Sequence, residues 1–112
     1  MKYRYVPINR DKDFRRVYAK GKSFVSPSVI VYVLKNRTGT LRIGITTSKK
    51  IGNAVARNRA RRVIREAFRS LEQNVKSGYD LVFVARTKTP FIKSTKMEKD
   101  LTARLKEAGI LL

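Results

Sequence analysis

The segment Lys49-Lys50-Ile51-Gly52-Asn53-Ala54-Val55-Ala56-Arg57-Asn58-Arg59-Ala60-Arg61-Arg62-Val63-Ile64-Arg65 holds the most distinctive chemistry of the chain. Residues 49–69 carry eight Lys or Arg and a single acid, Glu66. At the helical period, Arg57, Arg61, Arg65 and Arg69 follow one another down one face, with Asn58 and Arg62 beside them and an apolar stripe opposite. Like charges at i, i+4 each cost a few tenths of a kcal/mol in an isolated helix, so this register implies an anion lying along it. A run of charge is more commonly a solvated face, but the density and register here favour a polyanion. Arginine suits bidentate contact with phosphate and stacking on bases. Upstream, Gly52 permits a turn with positive φ, and Asn53 can cap a helix. Lys49 and Lys50 flank the free N–H groups of that helix start, a second place for phosphate to dock.

A second constellation is Asp13-Phe14-x-x-Val17-Tyr18, together with Tyr32 on a later apolar run. From periodicity alone, a Phe and a Tyr at i, i+4 read as core. Their basic neighbours Arg15, Arg16 and Lys20 offer another use, because aromatic faces beside cations stack unpaired bases at on the order of 1–3 kcal/mol each. If Val29, Val31 and Val33 pack under helices, then Ile30, Tyr32 and Leu34 point to the opposite face of the sheet. Asp80 and Asp100 are isolated carboxylates outside any metal-ligand spacing. Lys88, Lys93, Lys96 and Lys99 read as a solvated face, and Tyr79 and Phe83 as strand core.

The rest of the inventory narrows the function classes. The 112 residues contain 27 Lys+Arg and 8 Asp+Glu, a formal charge of +19, and 42% are hydrophobic. That is enough for one small domain over residues 1–112, with a charge that persists most naturally where nucleic acid neutralises it. Cys and His are both absent. Disulfides, thiolate nucleophiles, His-bearing metal sites and the commonest general base near neutral pH are therefore excluded. The longest apolar stretch, residues 29–34, falls far short of the roughly 20 needed to span a bilayer, and no hydrophobic signal region follows the basic start. The expectation is a soluble cytoplasmic protein.

Elements must position these residues. Residues 11–20 form a short helix, with Asn9 or Asp11 as cap and Gly21 as terminator. A brief strand over 23–25, a turn at 26–28 and a β-branched strand over 28–35 follow. Asn36-Arg37-Thr38-Gly39 reads as a hairpin loop into the strand 41–47, where Leu41, Ile43 and Ile45 alternate with Arg42, Gly44 and Thr46. One face of the sheet is thus open or covers something polar. Residues 53 to about 73 carry the strongest helical signal, with Ala56, Ala60, Val63, Ile64, Ala67, Phe68 and Leu71 as its stripe. After an exit loop at 75–78 come a strand over 79–86, a loop over 87–93 and a last helix. Thr95-x-x-Glu98 fits a capping box there, Met97, Leu101, Leu105 and Ala108 form its buried face, and Gly109 ends it. The order α-β-β-β-α-β-α gives an α+β fold, a two-layer sandwich with a four-stranded sheet.

Lys49-Lys50-Ile51-Gly52-Asn53-Ala54-Val55, followed by Arg57-Asn58-Arg59 and Arg61-Arg62-x-x-Arg65, closely resembles the signature of the bacterial ribonuclease P proteins. Length, charge, order of elements and the aromatic set agree, so the resemblance covers nearly the whole chain; only residues 1–8 and 109–112 carry nothing diagnostic. It implies a ribonucleoprotein in which a ribonuclease P RNA performs Mg²⁺-dependent hydrolysis at the tRNA 5′ end, the protein supplying no catalytic residue and no metal ligand. It implies that Lys49, Lys50, Asn53, Arg57, Asn58, Arg59, Arg61, Arg62 and Arg65 bind that RNA in a 1:1 complex with a protein monomer. It also implies that Phe14, Tyr18 and Tyr32, with Arg15 beside them, hold the single-stranded 5′ leader of precursor tRNA. Tyr18 stands where Phe is common in the family, keeping the stacking surface and adding a hydroxyl. The strand–helix–strand unit spanning 41–86 would by general rule cross over right-handed; the resemblance implies the left-handed exception. A structural RNA-binding protein, such as a ribosomal protein, would explain the charge and the arginine face but not an aromatic cleft. A protein-only nuclease is disfavoured: eight acids, no His and no paired carboxylate spacing leave nothing to hold two metals.

Overall fold

A computed structural model describes residues 5–112 as β1 (Tyr5–Pro7), α1 (Asp11–Lys20), β2 (Lys22–Val25), β3 (Val29–Lys35), β4 (Leu41–Thr46), α2 (Ala54–Arg69), β5 (Tyr79–Ala85) and α3 (Ser94–Glu107). Short 3₁₀ turns at Lys49–Ile51, Glu72–Asn74 and Thr89–Phe91 connect them. The fold is α+β, with one five-stranded mixed sheet in the order β1-β4-β5-β3-β2 rather than the four strands expected. The added strand, β1, lies in the N-terminal stretch that sequence patterning left unassigned, whose residues 1–4 fall outside the described chain. It is three residues long and pairs parallel with β4 from Tyr5↔Leu41 to Pro7↔Ile43, too short for a period of two to register.

The hairpin expected at residues 36–39 is not one. β5 lies between β3 and β4, antiparallel to β3 (Val31↔Phe83) and parallel to β4 (Ile43↔Leu81). Asn36 still makes the turn, accepting from the Thr38 backbone N–H at 3.1 Å, but the two strands it joins are separated by a third. β5 is the most buried strand and apolar on both faces apart from Asp80, which is why it takes the centre.

Alternation along the strands divides the sheet into two faces. Val29, Val31, Val33, Leu41, Ile43, Leu81, Phe83 and Ala85 form the main core with Ala60, Ile64, Ala67 and Phe68 of α2 and Met97, Leu101 and Leu105 of α3. The other face carries a smaller cluster of Ile8, Val17 and Val82, edged by Phe14, Tyr32, Leu34 and Val84. It is not open, since α1 covers it. Ile43 gives the hand of the crossover. With α2 toward the viewer and β4 running upward, the Ile43 side chain points forward, and L-chirality sends its backbone N–H and C=O to the right. There its carbonyl accepts from the Ile8 N–H at 2.7 Å, so β1 is on the right and β5 on the left. The β4–α2–β5 connection passes in front and leftward, a left-handed crossover.

The helix ends differ in detail from expectation. Neither Asn9 nor Asp11 caps α1; Arg10 holds the N-cap position without a side-chain bond, and Asp11 lies in the first turn. Gly21 ends α1 in extended backbone, and a Cβ there would lie 2.5 Å from the Val17 carbonyl oxygen, so close approach rather than positive φ requires glycine. α2 stops at Arg69 and a 3₁₀ turn completes the segment, while the exit loop is anchored by buried Val75 bridging Leu111. The Thr95–Glu98 capping box does not form, because α3 starts at Ser94 with Lys93 in the N-cap position.

What α1 covers is polar as well as apolar. Asp80 is fully buried on β5 and takes Arg16 Nη2 at 3.2 Å, Arg42 Nη1 at 3.5 Å and Asn36 Nδ2 at 2.8 Å. Asp13 of α1 takes Arg42 Nη2 at 3.0 Å and Arg16 Nη2 at 3.3 Å. Burial raises the Asp13 carboxyl, but the Arg42 hydrogen bond and charge, with Arg16 and Lys12, outweigh it and hold the group below its ordinary 3.8. A carboxylate depressed in the folded state stabilises fully above its unfolded value and loses that contribution as pH falls through its folded value. Thermal unfolding followed from pH 6 to pH 2 is therefore expected to show stability falling below about pH 4. An Asp13→Asn variant is expected to show a flatter acid limb; identical limbs would refute the assignment.

Candidate nucleic-acid interface

The loop before α2 is built as its sequence requires. Gly52 has φ 138°, open to glycine, and Asn53 Oδ1 accepts the Ala56 N–H at 2.9 Å as a true N-cap. Arg57 Nη1 donates to the Gly52 carbonyl at 2.8 Å, strapping the turn to the helix. Lys49 and Lys50 stand exposed on the adjoining 3₁₀ turn, at the positive end of the α2 dipole.

The arginines do not lie squarely opposite the apolar stripe. Arg57 and Arg61 border it and are half-buried, whereas Asn58, Arg59, Arg62, Arg65 and Arg69 are exposed. Their shared spacing suggests equivalence; the rotation of α2 on the sheet removes it. Arg61 and Arg65 reach down over Tyr5, Pro7, Ile8, Ile43 and Ile45 at the β1 edge.

The aromatic residues gather on the opposite side of β4. Phe14 and Tyr18 stand one turn apart on α1, ring centroids 6.4 Å apart and tilted by 34°. Tyr32 of β3 meets Tyr18 edge to face at 5.0 Å. A groove of about 440 Å³ runs between α1 and the end of β4, lined by Phe14, Arg15, Tyr18, Ile45, Thr46, Thr47 and Arg61, with Asp11 at its rim. Tyr18 is 37% exposed, and its hydroxyl hydrogen-bonds with Thr46 Oγ1 at 2.5 Å. Tyr32 stands behind Tyr18, so it supports the groove more than it lines it. Thr46, Thr47 and Asp11 were not among the expected site residues: the pattern marked Thr46 only as a strand position and Asp11 only as a cap candidate, and Thr47 at the strand end carries no pattern of its own. The Thr47 hydroxyl oxygen is buried and has no hydrogen-bond partner among the described residues.

Two features set the depth of this groove. The buried ion pairs fasten the first turn of α1 to β4 and β5, and Gly44 provides room beneath it. A Cβ at Gly44 would meet Phe14 Cε1 at 2.6 Å and Ile8 Cβ at 3.2 Å, so the Phe14 ring rests directly on backbone. The remaining carboxylate singled out by sequence, Asp100, serves structure: Ser28 Oγ donates to it at 2.5 Å and Lys96 Nζ at 2.8 Å. No helix among the described residues is long and apolar enough to cross a membrane.

Comparison with known proteins identifies the family and the fold. The family model for ribonuclease P matches residues 4–109. The chain is 40% identical over 104 residues to the ribonuclease P protein component of Clostridioides difficile strain 630, covering 92% of this chain and 91% of the relative. It is 44% identical over 105 residues to that of Clostridium novyi strain NT, covering 92% and 93%. Among solved structures, the Staphylococcus aureus RNase P protein superposes with a TM-score of 0.83 at 33% identity, covering 95% of this chain and 97% of the other. The Thermotoga maritima RNase P protein gives 0.79 at 28% identity, covering 90% and 96%.

Replacing Gly44 by Ala is expected to lift the Phe14 ring out of its seat and to destabilise the protein by about 1–3 kcal/mol, the usual cost of overpacking. Urea unfolding measures the loss, and an unchanged midpoint would show that Phe14 is not held this way.

Proposed function

The chain belongs to the ribonuclease P protein family, a subunit of an RNA–protein endonuclease of tRNA processing, and from that premise we propose how its two surfaces divide the work. The α2 arginine face, with Lys49, Lys50, Asn53, Arg57, Asn58, Arg59, Arg61, Arg62 and Arg65, binds the ribonuclease P RNA. The aromatic groove, with Phe14, Arg15, Tyr18 and Tyr32, holds the single-stranded 5′ leader of precursor tRNA. One observation carries this reading: Arg61 lines both the aromatic groove and the edge over which Arg65 reaches, so the two surfaces share a border. An RNA strand leaving the groove meets the arginine face without a gap.

The protein's contribution is positional and electrostatic. Arginines along α2 neutralise phosphate repulsion between the RNA subunit and its substrate, a task that otherwise falls to cations in solution. Rings in the groove hold unpaired bases. Mg²⁺ belongs to the RNA active site in this reading, and hydrolysis is carried by the RNA. The protein acts as one copy in a 1:1 complex in the cytoplasm.

Two measurements test the division. Cleavage of precursor tRNA by a bacterial ribonuclease P RNA is expected to need more Mg²⁺ with an Arg62→Ala/Arg65→Ala variant than with the parent protein; equal activity at limiting Mg²⁺ would count against the α2 assignment. Tyr18→Ala is expected to weaken binding of substrate with an extended leader by about 1–3 kcal/mol, leaving leaderless tRNA unaffected. Equal losses on both substrates would instead favour a structural RNA-binding role.

A further inference from the structure

A second groove, of about 490 Å³, opens beside α1 on the side away from the aromatic residues. Arg16, Lys20, Lys35, Arg37 and Arg42 surround it, with Asp80 at its base. None of the residues assigned above to the RNA subunit or to the leader lines it. It is drawn together from four places in the chain: the second half of α1, the end of β3 with the turn after it, the start of β4 and the start of β5.

The groove is a built site rather than a scatter of surface cations. Arg42 spends both terminal nitrogens on carboxylates, Nη1 on Asp80 and Nη2 on Asp13. Arg16 reaches both carboxylates through Nη2 alone, at 3.3 Å and 3.2 Å, which orients its guanidinium and leaves Nη1 and Nε unengaged among the described residues. Its side chain is 43% exposed, open to solvent on the groove side. Lys20, Lys35 and Arg37 are exposed and form no ion pair among the described residues. Five cations therefore face two carboxylates, and both carboxylates are already committed to holding arginines. A pre-oriented guanidinium with spare donors, ringed by three unneutralised cations, is the arrangement that recognises a phosphate oxygen.

We infer that this groove holds a backbone phosphate of RNA, a third contact separate from the α2 face and the aromatic groove. The inference rests on the reading of the chain as an RNA-binding subunit. It does not depend on which RNA supplies the phosphate, since the distal leader and the RNA subunit present the same phosphodiester.

The experiment is a salt series of binding affinities for three RNAs: precursor tRNA with a long leader, the same tRNA without a leader, and a bacterial ribonuclease P RNA. Each phosphate contact contributes about 0.7–0.9 to the slope of log affinity against log salt. A Lys20→Ala/Arg37→Ala variant, altered only at exposed side chains, is expected to flatten that slope by about 1–2 for at least one RNA and to weaken binding several-fold at low salt. Its thermal unfolding should match the parent's; Lys35→Gln/Arg37→Gln provides a second variant should the first melt early. Loss confined to the long-leader substrate assigns the phosphate to the leader, and loss on the ribonuclease P RNA assigns it to the RNA subunit. Unchanged slopes on all three RNAs, beside a flattened slope for Arg62→Ala/Arg65→Ala, would overturn this inference and leave the RNA-binding reading standing. Unchanged slopes for both the groove variant and the α2 variant would overturn that reading as well.

Discussion

Asp80, wholly buried at the start of the central strand and held by Arg16, Arg42 and Asn36, is the interaction on which the working surface depends. A buried carboxylate is tolerable only when paired and hydrogen-bonded, and here the pairing spans elements far apart in the chain. Arg42 carries the connection on to Asp13, and through Asp13 the first turn of α1 is fastened across β4 and β5. In a chain of charge +19, with only 8 acids, two of them are committed to this one seam. Self-repulsion would otherwise work against seating a helix that carries Lys12, Arg15, Arg16 and Lys20 on a sheet edged with further cations.

The two faces of the sheet serve different ends. On one, α2 and α3 close a continuous apolar core, which gives α2 a rigid base from which its arginines project. On the other, a cluster of three buried apolar residues among the described ones is supplemented by the ion pairs. That thinner layer leaves room at its borders. The aromatic groove runs along one flank of α1 and the cationic groove along the other, so a single short helix shapes both. Gly44 and Gly21 allow this helix to sit unusually close, the first beneath the Phe14 ring and the second against the backbone of Val17 and Val33.

The left-handed β4–α2–β5 crossover has a functional consequence. It brings α2 over the β1–β4 side of the sheet, where Arg61 reaches the aromatic groove and Arg65 the β1 edge. The end of β4, and with it Thr46 and Thr47, lies directly before the loop that leads into α2. The basic segment and the groove are thus neighbours because they are consecutive along the chain at that edge, while the aromatic rings arrive from α1 and β3.

Much was legible because it is local. The spacing of Ala60, Ile64, Ala67 and Phe68 specified the α2 stripe, Asn53 its cap, and the alternation from Leu41 to Thr46 assigned each residue of β4 to its face; those rules act within a turn of helix or a few residues of strand. The family signature was equally local, one uninterrupted segment. Partners chosen across the fold were beyond that reach. Asp80 looked isolated because its arginines lie 38 and 64 residues away. The turn at residues 36–39 looked like a hairpin because nothing in it records that β5, arriving some forty residues later, takes the place between β3 and β4. Arg57 and Arg61 looked equivalent to Arg65 until the seating of α2 on the sheet turned them toward its border. Periodicity and caps are decided by neighbours in sequence, whereas strand order, charge pairing and the rotation of a helix on its sheet are decided by which distant surfaces bury one another.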